Sequence, residues 1–317
     1  MRKRKPFWQT VGSQAVQELF QRIERAYLLF FKHHKKGVSP PGFKKIKKYK
    51  SFTLKPAGYK FIGGNWVKIA NRVYQYGNYR EIEETVKTLT IKPTALGELL
   101  MIVVVGDVSK PEAKFKTGKI AGFDFGGKTF LTISDGTKIE SPQFLKLSIN
   151  AIKTASRQHS QKRKESPNRE RARKNLVRKY EDVVNRRCDW FWKMAHELTD
   201  KFDVLCFETL NIKGMQRLWG RQISALAFGE FLQILQWIAT KKAKQVVFIG
   251  RWYPSSKTCS DCGHVLESLD ISVREWRFPW CQSINGQDEN VALNIQAVGA
   301  STVRLGDVRQ ARSAIAV

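Results

Sequence analysis

Two short apolar segments of this chain each end on a single carboxylate, and this pattern constrains the fold more than any other feature. The first segment ends at Asp124, which lies between Gly122 and Gly126, and the second ends at Glu208. Continuous apolar runs of this length are typical of strands buried on both faces of a sheet. Because a buried carboxylate is costly to desolvate unless a cation or a donor meets it, two such strands side by side predict a metal site.

The segments around these acids predict an α/β domain. A meander of three strands comes first, a long helical region follows, and two further strands alternate with a helix. The strands are expected at 119–125, 129–134, 138–141, 204–207 and 246–249, and the helices within 142–199 and at 225–243. Residues 151–180 contain 11 Lys/Arg and 2 Glu. Because Ser166, Pro167 and Asn168 interrupt this stretch, it predicts a basic hairpin of two helices.

The N-terminal third of the chain predicts one helix, a basic loop and a small β module. Apolar residues recur at helical spacing over 14–31, so we expect one amphipathic helix there. Lysines interleaved with aromatic residues over 43–50 predict a loop that contacts phosphates, with a solvated charge run as the alternative. Strand-like segments separated by glycines over 51–115 predict a small barrel or a sandwich.

The charge balance predicts a polyanionic partner. Lysine and arginine number 56 against 28 acidic residues, which gives a formal net charge of +28. Such a chain repels itself unless a polyanion neutralises part of its charge, and 42% hydrophobic residues favour folded cores over a disordered basic tail. We therefore expect nucleic acid as the partner. The candidate nucleic-acid-binding residues are Lys44, Lys45, Lys47, Lys48, Arg171, Arg173, Lys174, Arg178 and Lys257.

The sequence gives no sign of a membrane segment or of a secreted protein. No run of about 18 apolar residues occurs, and no continuous apolar stretch follows the basic N-terminal residues. The five cysteines form an odd set, which does not predict a disulfide framework. We therefore expect a protein that acts in the cytoplasm, without a membrane partner.

A third acid is expected from a later element, and Asp288 begins an apolar helical segment. The alternative role of Asp288 is the negative charge that commonly stabilises a helix N-terminus. Mg²⁺ prefers hard oxygen ligands and keeps several waters, which phosphate oxygens can replace. With two ions about 3.5–4 Å apart, one activates the attacking water and the other stabilises the leaving oxygen of a phosphodiester. We therefore predict that Asp124, Glu208 and Asp288 bind two Mg²⁺ ions.

The later cysteines resemble an incomplete zinc knuckle. Cys259 and Cys262 have the spacing of one half of such a site, and Cys281 lies where the second half is expected. Phe278 occupies the position of a fourth thiolate. Three interpretations remain open: Zn²⁺ held by the three cysteines with water or His264, zinc bound weakly, or a knuckle held together by aromatic packing.

The motifs around these residues resemble one known family. They are Gly122-Phe-Asp124-Phe-Gly126, Phe207-Glu208-Thr-Leu-Asn211-Ile-Lys-Gly214-Met215, Tyr253-Pro-Ser-Ser256-Lys-Thr-Cys259-Ser-Asp-Cys262-Gly263 and Asp288-Glu-Asn290-Val-Ala292-Leu-Asn294-Ile. In this order they resemble the transposon-encoded RNA-guided endonucleases (TnpB), which are relatives of compact type V CRISPR effectors. The resemblance covers most of the chain and is densest over 122–295.

The resemblance implies an α/β RNase H-like (RuvC) nuclease in which Asp124, Glu208 and Asp288 are the catalytic acids, with guide RNA and target double-stranded DNA as partners. It also implies a domain order: part of a helical recognition lobe at 1–50, a wedge-type β-barrel at 51–115, the nuclease domain at 116–255 with a basic helical insertion at 145–199, a zinc-ribbon-like module that binds target nucleic acid at 256–285, the last nuclease helix at 286–297, and a mobile tail at 298–317.

The chain departs from the family pattern at three places. It opens directly inside what resembles a recognition helix, and it has Phe278 and Gln287 where the family has cysteine and arginine. We predict a Mg²⁺-dependent RNA-guided DNA endonuclease that is associated with an insertion sequence. The alternatives are a guide-dependent DNA-binding protein or decayed transposon product that does not cut, and a nuclease that works without a guide.

Overall fold

The structure is a computed structural model that describes residues 12–42, 51–78, 81–82, 85–106, 117–270 and 273–304. The chain divides into two compact units, Met1–Ser109 and Lys110–Val317. No helix among the described residues is long and apolar enough to span a lipid bilayer.

The first unit contains helix α1 and two three-stranded antiparallel sheets. The helix covers Ser13–His33, as the helical spacing over 14–31 predicts. The sheet orders are β1-β5-β6 and β2-β3-β4. The strands are β1 (Phe52–Leu54), β2 (Tyr59–Gly63), β3 (Trp66–Ile69), β4 (Arg72–Gln75), β5 (Val86–Pro93) and β6 (Leu99–Val105).

Of the two predicted arrangements, the described residues of this unit form two separate sheets, as in a sandwich, and no closed barrel. Leu54, Val67 and Leu89, which come from both sheets, pack together in a small buried core. Strand β1 is short and is followed by a 3₁₀ turn over Pro56–Gly58. Because a proline has no backbone N–H to donate to a ladder, this turn ends β1 and the chain starts a separate sheet at β2.

The second unit is built on a five-stranded mixed sheet with the order β11-β10-β7-β8-β9. Strands β7 to β9 form the predicted antiparallel meander, and β10 and β11 run parallel to β7. The strands are β7 (Ile120–Phe125), β8 (Thr129–Ile133), β9 (Lys138–Glu140), β10 (Val204–Glu208) and β11 (Gln245–Ile249). The predicted α/β class and these five strands are therefore confirmed.

Helices cover both faces of this sheet. Phe123 and Phe207 stack with ring centroids 4.8 Å apart, and they belong to the core that includes residues of α3 and α5. Cys206 and Val247 belong to a second core with Ile295 of α6. The helices are α2 (Phe144–Ser160), α3 (Pro167–Lys201), α4 (Ile212–Leu226), α5 (Phe228–Lys241) and α6 (Gln287–Arg304).

The basic helical hairpin is confirmed, and the helix expected after β10 has a different start. Helix α3 begins where predicted, because the Ser166 hydroxyl accepts a hydrogen bond from the Arg169 N–H at 3.2 Å and Pro167 occupies the first turn. The helix expected at 225–243 is present as α5, but it begins at Phe228 because Ala227 adopts a left-handed conformation with φ of 49° that separates it from α4. Helix α4 itself was not predicted.

The segment 298–317, expected as a mobile tail, begins as ordered helix. Helix α6 continues to Arg304, and residues 305–317 lie outside the described residues. Gly299 is buried against Cys206 of β10, where an added Cβ would lie 2.7 Å from the cysteine Cβ. The close packing of this glycine on the sheet explains why the helix extends beyond the predicted boundary.

A small hairpin follows β11 and precedes α6 in the sequence. Strands β12 (Glu275–Arg277) and β13 (Ile284–Gly286) pair antiparallel, and Thr258 forms an isolated bridge with Val265. This part of the chain holds the predicted knuckle.

Candidate active site and cysteine cluster

Two of the predicted acids lie next to each other on neighbouring parallel strands. The register pairs Phe207 of β10 with Phe123 of β7, so the following residues, Glu208 and Asp124, are neighbours across the strand pair. Because side chains alternate along a strand, Asp124 shares a face with Gly122, which lies against α6, opposite the phenylalanine core.

Helix α6 brings the third acid to the same place. An added Cβ at Gly122 would overlap the Ala292 carbonyl oxygen and lie 2.5 Å from the Gln296 nitrogen, so the helix backbone rests directly on β7. The Gln296 side-chain amide also donates to the Ile120 carbonyl oxygen at 2.7 Å. This close contact fixes the helix whose first turn carries Asp288.

The three acids interact electrostatically. Burial, together with the negative charges of Asp288 and Glu208, raises the pKa of Asp124 to about 8, against the opposing effects of the Phe125 N–H and Arg274. Burial also raises the pKa of Glu208, and a hydrogen bond from the Ser255 hydroxyl, at 3.4 Å, opposes that shift. A site that disfavours its own negative charge in this way is suited to a cation.

An arginine that sequence reasoning missed lies beside these acids. The Arg274 guanidinium donates to the Gln287 side-chain oxygen at 2.9 Å, and one of its nitrogens lies 3.7 Å from an Asp288 carboxylate oxygen. Its side chain is 69% exposed, so most of its donors are free to meet a ligand. The one signal available in the sequence was Gln287, which stands where the family has arginine.

Two asparagines of α6 hold the loop that leads from Ser255, the hydrogen-bond partner of Glu208, to the cysteine knuckle. The Asn290 and Asn294 side-chain amides, both buried, donate to the Thr258 carbonyl oxygen at 2.7 and 2.8 Å. The Asn290 side-chain oxygen also accepts from the Ser260 N–H at 2.9 Å. Because Ser255 contacts Glu208, the same loop joins the candidate active site to the cysteines.

The three knuckle cysteines form a compact cluster. The sulfurs of Cys259, Cys262 and Cys281 all lie within 4.8 Å of one another, and among the described residues this is the one set of three or more metal-ligating side chains with such spacing. The three carboxylates are therefore spread more widely than the ligands of this cluster. Hydrogen bonds from Ser283 lower the pKa of Cys281 to about 7, which favours the thiolate that binds a metal.

The knuckle's other predicted members have separate roles. The His264 ring stacks on Trp280 with an interplanar angle of 7°, and the histidine is not part of the sulfur cluster. The interpretation in which His264 completes a zinc site therefore has no support from its position in this structure. Phe278 is fully buried and packs edge-to-face on Trp276, so aromatic packing and a thiol cluster are both present.

The predicted nucleic-acid-binding residues are spread over the chain. Lys44, Lys45, Lys47 and Lys48 lie outside the described residues. Arg171, Arg173, Lys174 and Arg178 lie on α3. The Arg173 guanidinium pairs with Glu170 at 2.7 Å, and the Lys257 ammonium donates to the Glu267 carbonyl oxygen at 2.9 Å. The contacts of these residues with nucleic acid stay predictions.

Comparison with known proteins gives two family matches. Residues 103–218 match the OrfB_IS605 family, described as a probable transposase, and residues 228–295 match the Cas12f1-like TNB domain. The predicted resemblance to the TnpB family is confirmed. The second match covers α5, β11, the cysteine cluster and the start of α6. The knuckle therefore lies within the matched TNB domain.

Two individual relatives agree with these matches, and one solved structure aligns with part of the chain. The chain is 30% identical over 222 residues to a "Putative RNA-guided DNA endonuclease" of Streptomyces pristinaespiralis, covering 69% of this chain and 54% of the relative. It is 24% identical over 322 residues to the "Putative RNA-guided DNA endonuclease InsQ" of Escherichia coli K12, covering 94% and 77%. The "Cas12f1-sgRNA-target DNA complex" aligns with a TM-score of 0.48 and 17% identity, covering 68% of this chain and 46% of that one.

Proposed function

We propose that this chain is an RNA-guided DNA endonuclease whose RNase H-like (RuvC) domain hydrolyses phosphodiester bonds at Asp124, Glu208 and Asp288. The observation that carries the proposal is the convergence of three carboxylates from two parallel strands and a helix N-terminus, with the pKa of Asp124 raised to about 8. Structural ion pairs lower the pKa of an acid, so this opposite shift favours a functional site.

The donor set fits Mg²⁺, because carboxylate oxygens are the hard ligands this ion prefers. When bound, Mg²⁺ activates a water and neutralises the charge that develops on the leaving oxygen. The chain's own residues prepare the site: Ser255 orients Glu208 through its hydroxyl, and the contact of Gly122 with α6 holds Asp288 near Asp124.

Guide RNA and double-stranded DNA are the proposed partners. The net charge of +28 and the exposed arginines of α3, such as Arg171 and Arg178, support contact with phosphates over a long surface. In RNA-guided systems base pairing reads the sequence while the protein holds the heteroduplex by its backbone, which suits such a surface. A protein with these partners would act on DNA in the bacterial cytoplasm.

Arg274 is expected to help hold the scissile phosphate next to Asp288. A guanidinium that approaches one acid and keeps free donors can bind a phosphate oxygen in the same site. Arg274→Gln should slow single-turnover cleavage about tenfold to hundredfold. Thermal stability should hardly change, because exposed ion pairs contribute little. The matched control is Arg277→Gln, an exposed arginine of the same hairpin. Equal rates for both variants would exclude the role.

A DNA-binding protein that no longer cuts is the second candidate. The specific observations that favour it are the loss of one cysteine at Phe278 and of an arginine at Gln287, beside an otherwise intact set of acids. Such a protein would keep guide-dependent binding and lack only the chemical step.

The test of the proposed function uses the ribonucleoprotein produced with RNA from its own locus. Copurified RNA is sequenced, and the complex is then mixed with Mg²⁺ and DNA that matches the guide and has randomised flanks. Guide-dependent ends at one position are the expected result. Retention of matched DNA without new ends would favour the binding protein, and absence of copurified RNA with guide-independent ends would indicate a nuclease that needs no guide.

A further inference from the structure

We propose that the hydroxyl oxygen of Ser283 is the fourth ligand of a zinc ion held by Cys259, Cys262 and Cys281. The site would then contain three thiolates and one oxygen, instead of the four thiolates of a complete motif. The inference concerns metal binding by the knuckle and does not depend on the proposed cleavage.

The position of the Ser283 oxygen carries the proposal. It lies 3.0 Å from the Cys281 sulfur and 3.4 Å from the Cys259 sulfur, and these two sulfurs are 3.5 Å apart. Around a tetrahedral zinc with Zn–S bonds of about 2.3 Å and Zn–O bonds of about 2.0 Å, ligand atoms are separated by about 3.5–3.8 Å. The serine oxygen therefore lies at about the required distance from the Cys259 sulfur, and a shift of about 0.5 Å away from the Cys281 sulfur would complete the arrangement around a shared ion.

The backbone of the hairpin holds Ser283 there. The Phe278 N–H donates to the Ser283 carbonyl oxygen at 2.9 Å, and the Gln282 N–H donates to the Phe278 carbonyl oxygen at 2.9 Å. Gln282 has a positive φ of 60°, so the chain reverses tightly and returns the next residue toward the cysteines. The turn that carries Cys281 thus also presents Ser283 to the same cluster.

The other candidates for the fourth position are occupied elsewhere. The His264 ring stacks on Trp280, and Phe278 is fully buried. No fourth His, Cys, Asp or Glu joins the sulfur cluster among the described residues. A neutral hydroxyl leaves a zinc site with three thiolates at a net charge of −1, where four thiolates would give −2. The oxygen ligand is also more easily displaced than a thiolate, so zinc should exchange readily.

The experiment measures metal binding by the full chain through zinc titration and the absorption of the Co²⁺-substituted protein. Ser283→Cys should raise zinc affinity at least about tenfold and intensify the thiolate-to-cobalt absorption, whereas Ser283→Ala should lower affinity about tenfold or more. Ser268→Cys is the matched control, because Ser268 is an exposed serine of the same module. It should leave both properties unchanged.

Two outcomes would overturn the proposal. The first is a Ser283→Ala variant that binds zinc as tightly as the wild type and gives the same cobalt spectrum, because a water or another group would then supply the fourth ligand. The second is a Phe278→Cys variant that gains affinity while Ser283→Cys does not, which would place the fourth ligand at residue 278. Since neither readout involves DNA, failure here is distinguishable from failure of the proposed nuclease function.

Discussion

Replacing Asp124 with asparagine is expected to abolish cleavage and to make the metal-free protein more stable at pH about 7–8. Asparagine has nearly the same shape as aspartate, but it has no charge to bury and is a poor metal ligand. Removal of a catalytic group commonly lowers rates by several orders of magnitude, so cleavage should fall at least about a thousandfold. Functional sites are often kept at a cost in stability, and Asp124 is a clear candidate for this exchange.

The pH dependence follows from the raised pKa of Asp124. This pKa is about 8 in the folded chain and near 3.8 in the unfolded chain, so between these values the folded state binds more protons. Wild-type stability should therefore fall as the pH rises from about 4 to about 8, by up to several kcal/mol at 1.4 kcal/mol per unit. The Asp124→Asn variant has no carboxyl group to ionise at this position, so its stability should not fall with pH in this way.

Thermal unfolding in a chelator over this pH range measures the difference. The melting temperature of Asp124→Asn should exceed that of the wild type by a gap that widens with pH, and Mg²⁺ should narrow the gap because a cation favours the ionised acid. Asp182→Asn, which removes an exposed partner of Arg186, is the control and should leave the pH profile unchanged. A gap that stays constant from about pH 4 to about 8 would contradict the burial of an uncompensated charge at Asp124.

Gly122→Ala is expected to destabilise the second unit severely. The new methyl group would overlap the Ala292 carbonyl oxygen, and neither the strand nor the helix backbone can move without breaking other contacts. Overpacking in a core typically costs about 1–3 kcal/mol, and a collision with backbone should reach or exceed the upper value. Because α6 carries Asp288, cleavage should be lost together with stability.

Gly220→Ala is the matched control for this substitution. Gly220 lies in α4, and an added Cβ there meets nothing within 4 Å. Alanine is favoured over glycine in helices by up to about 1 kcal/mol, so the control should be as stable as the wild type or slightly more so. Chemical denaturation of both variants checks the prediction. A Gly122→Ala protein with wild-type stability would mean that α6 does not rest on β7 as described.

The sheet was predictable because its strands are locally encoded. The runs that end at Asp124 and Glu208 are apolar throughout, which indicates burial on both faces. The turn at Gly136 and the capping serine at residue 166 are local signals as well. The break between α4 and α5 was not predictable, since Ala227 adopts a left-handed conformation that alanine rarely favours.

The candidate site was predictable only in part. Its three acids stand in recognisable motifs, whereas the contacts that support them depend on the tertiary fold. Arg274 meets Asp288 because a hairpin folds back on the start of α6, and Ser283 meets the cysteines through a tight turn. A local signal did exist for Asn290 and Asn294, which are four residues apart and so share one helix face.

The most direct test of the central claim compares the cleavage of guide-matched DNA by the wild type and by Asp124→Asn. The same assay measures how much DNA each protein retains, so that a loss of binding can be told from a loss of cutting. The account predicts Mg²⁺-dependent cutting by the wild-type ribonucleoprotein and none by the variant, while both retain matched DNA. Equal cutting by both proteins would contradict the assignment of the active site to Asp124, Glu208 and Asp288.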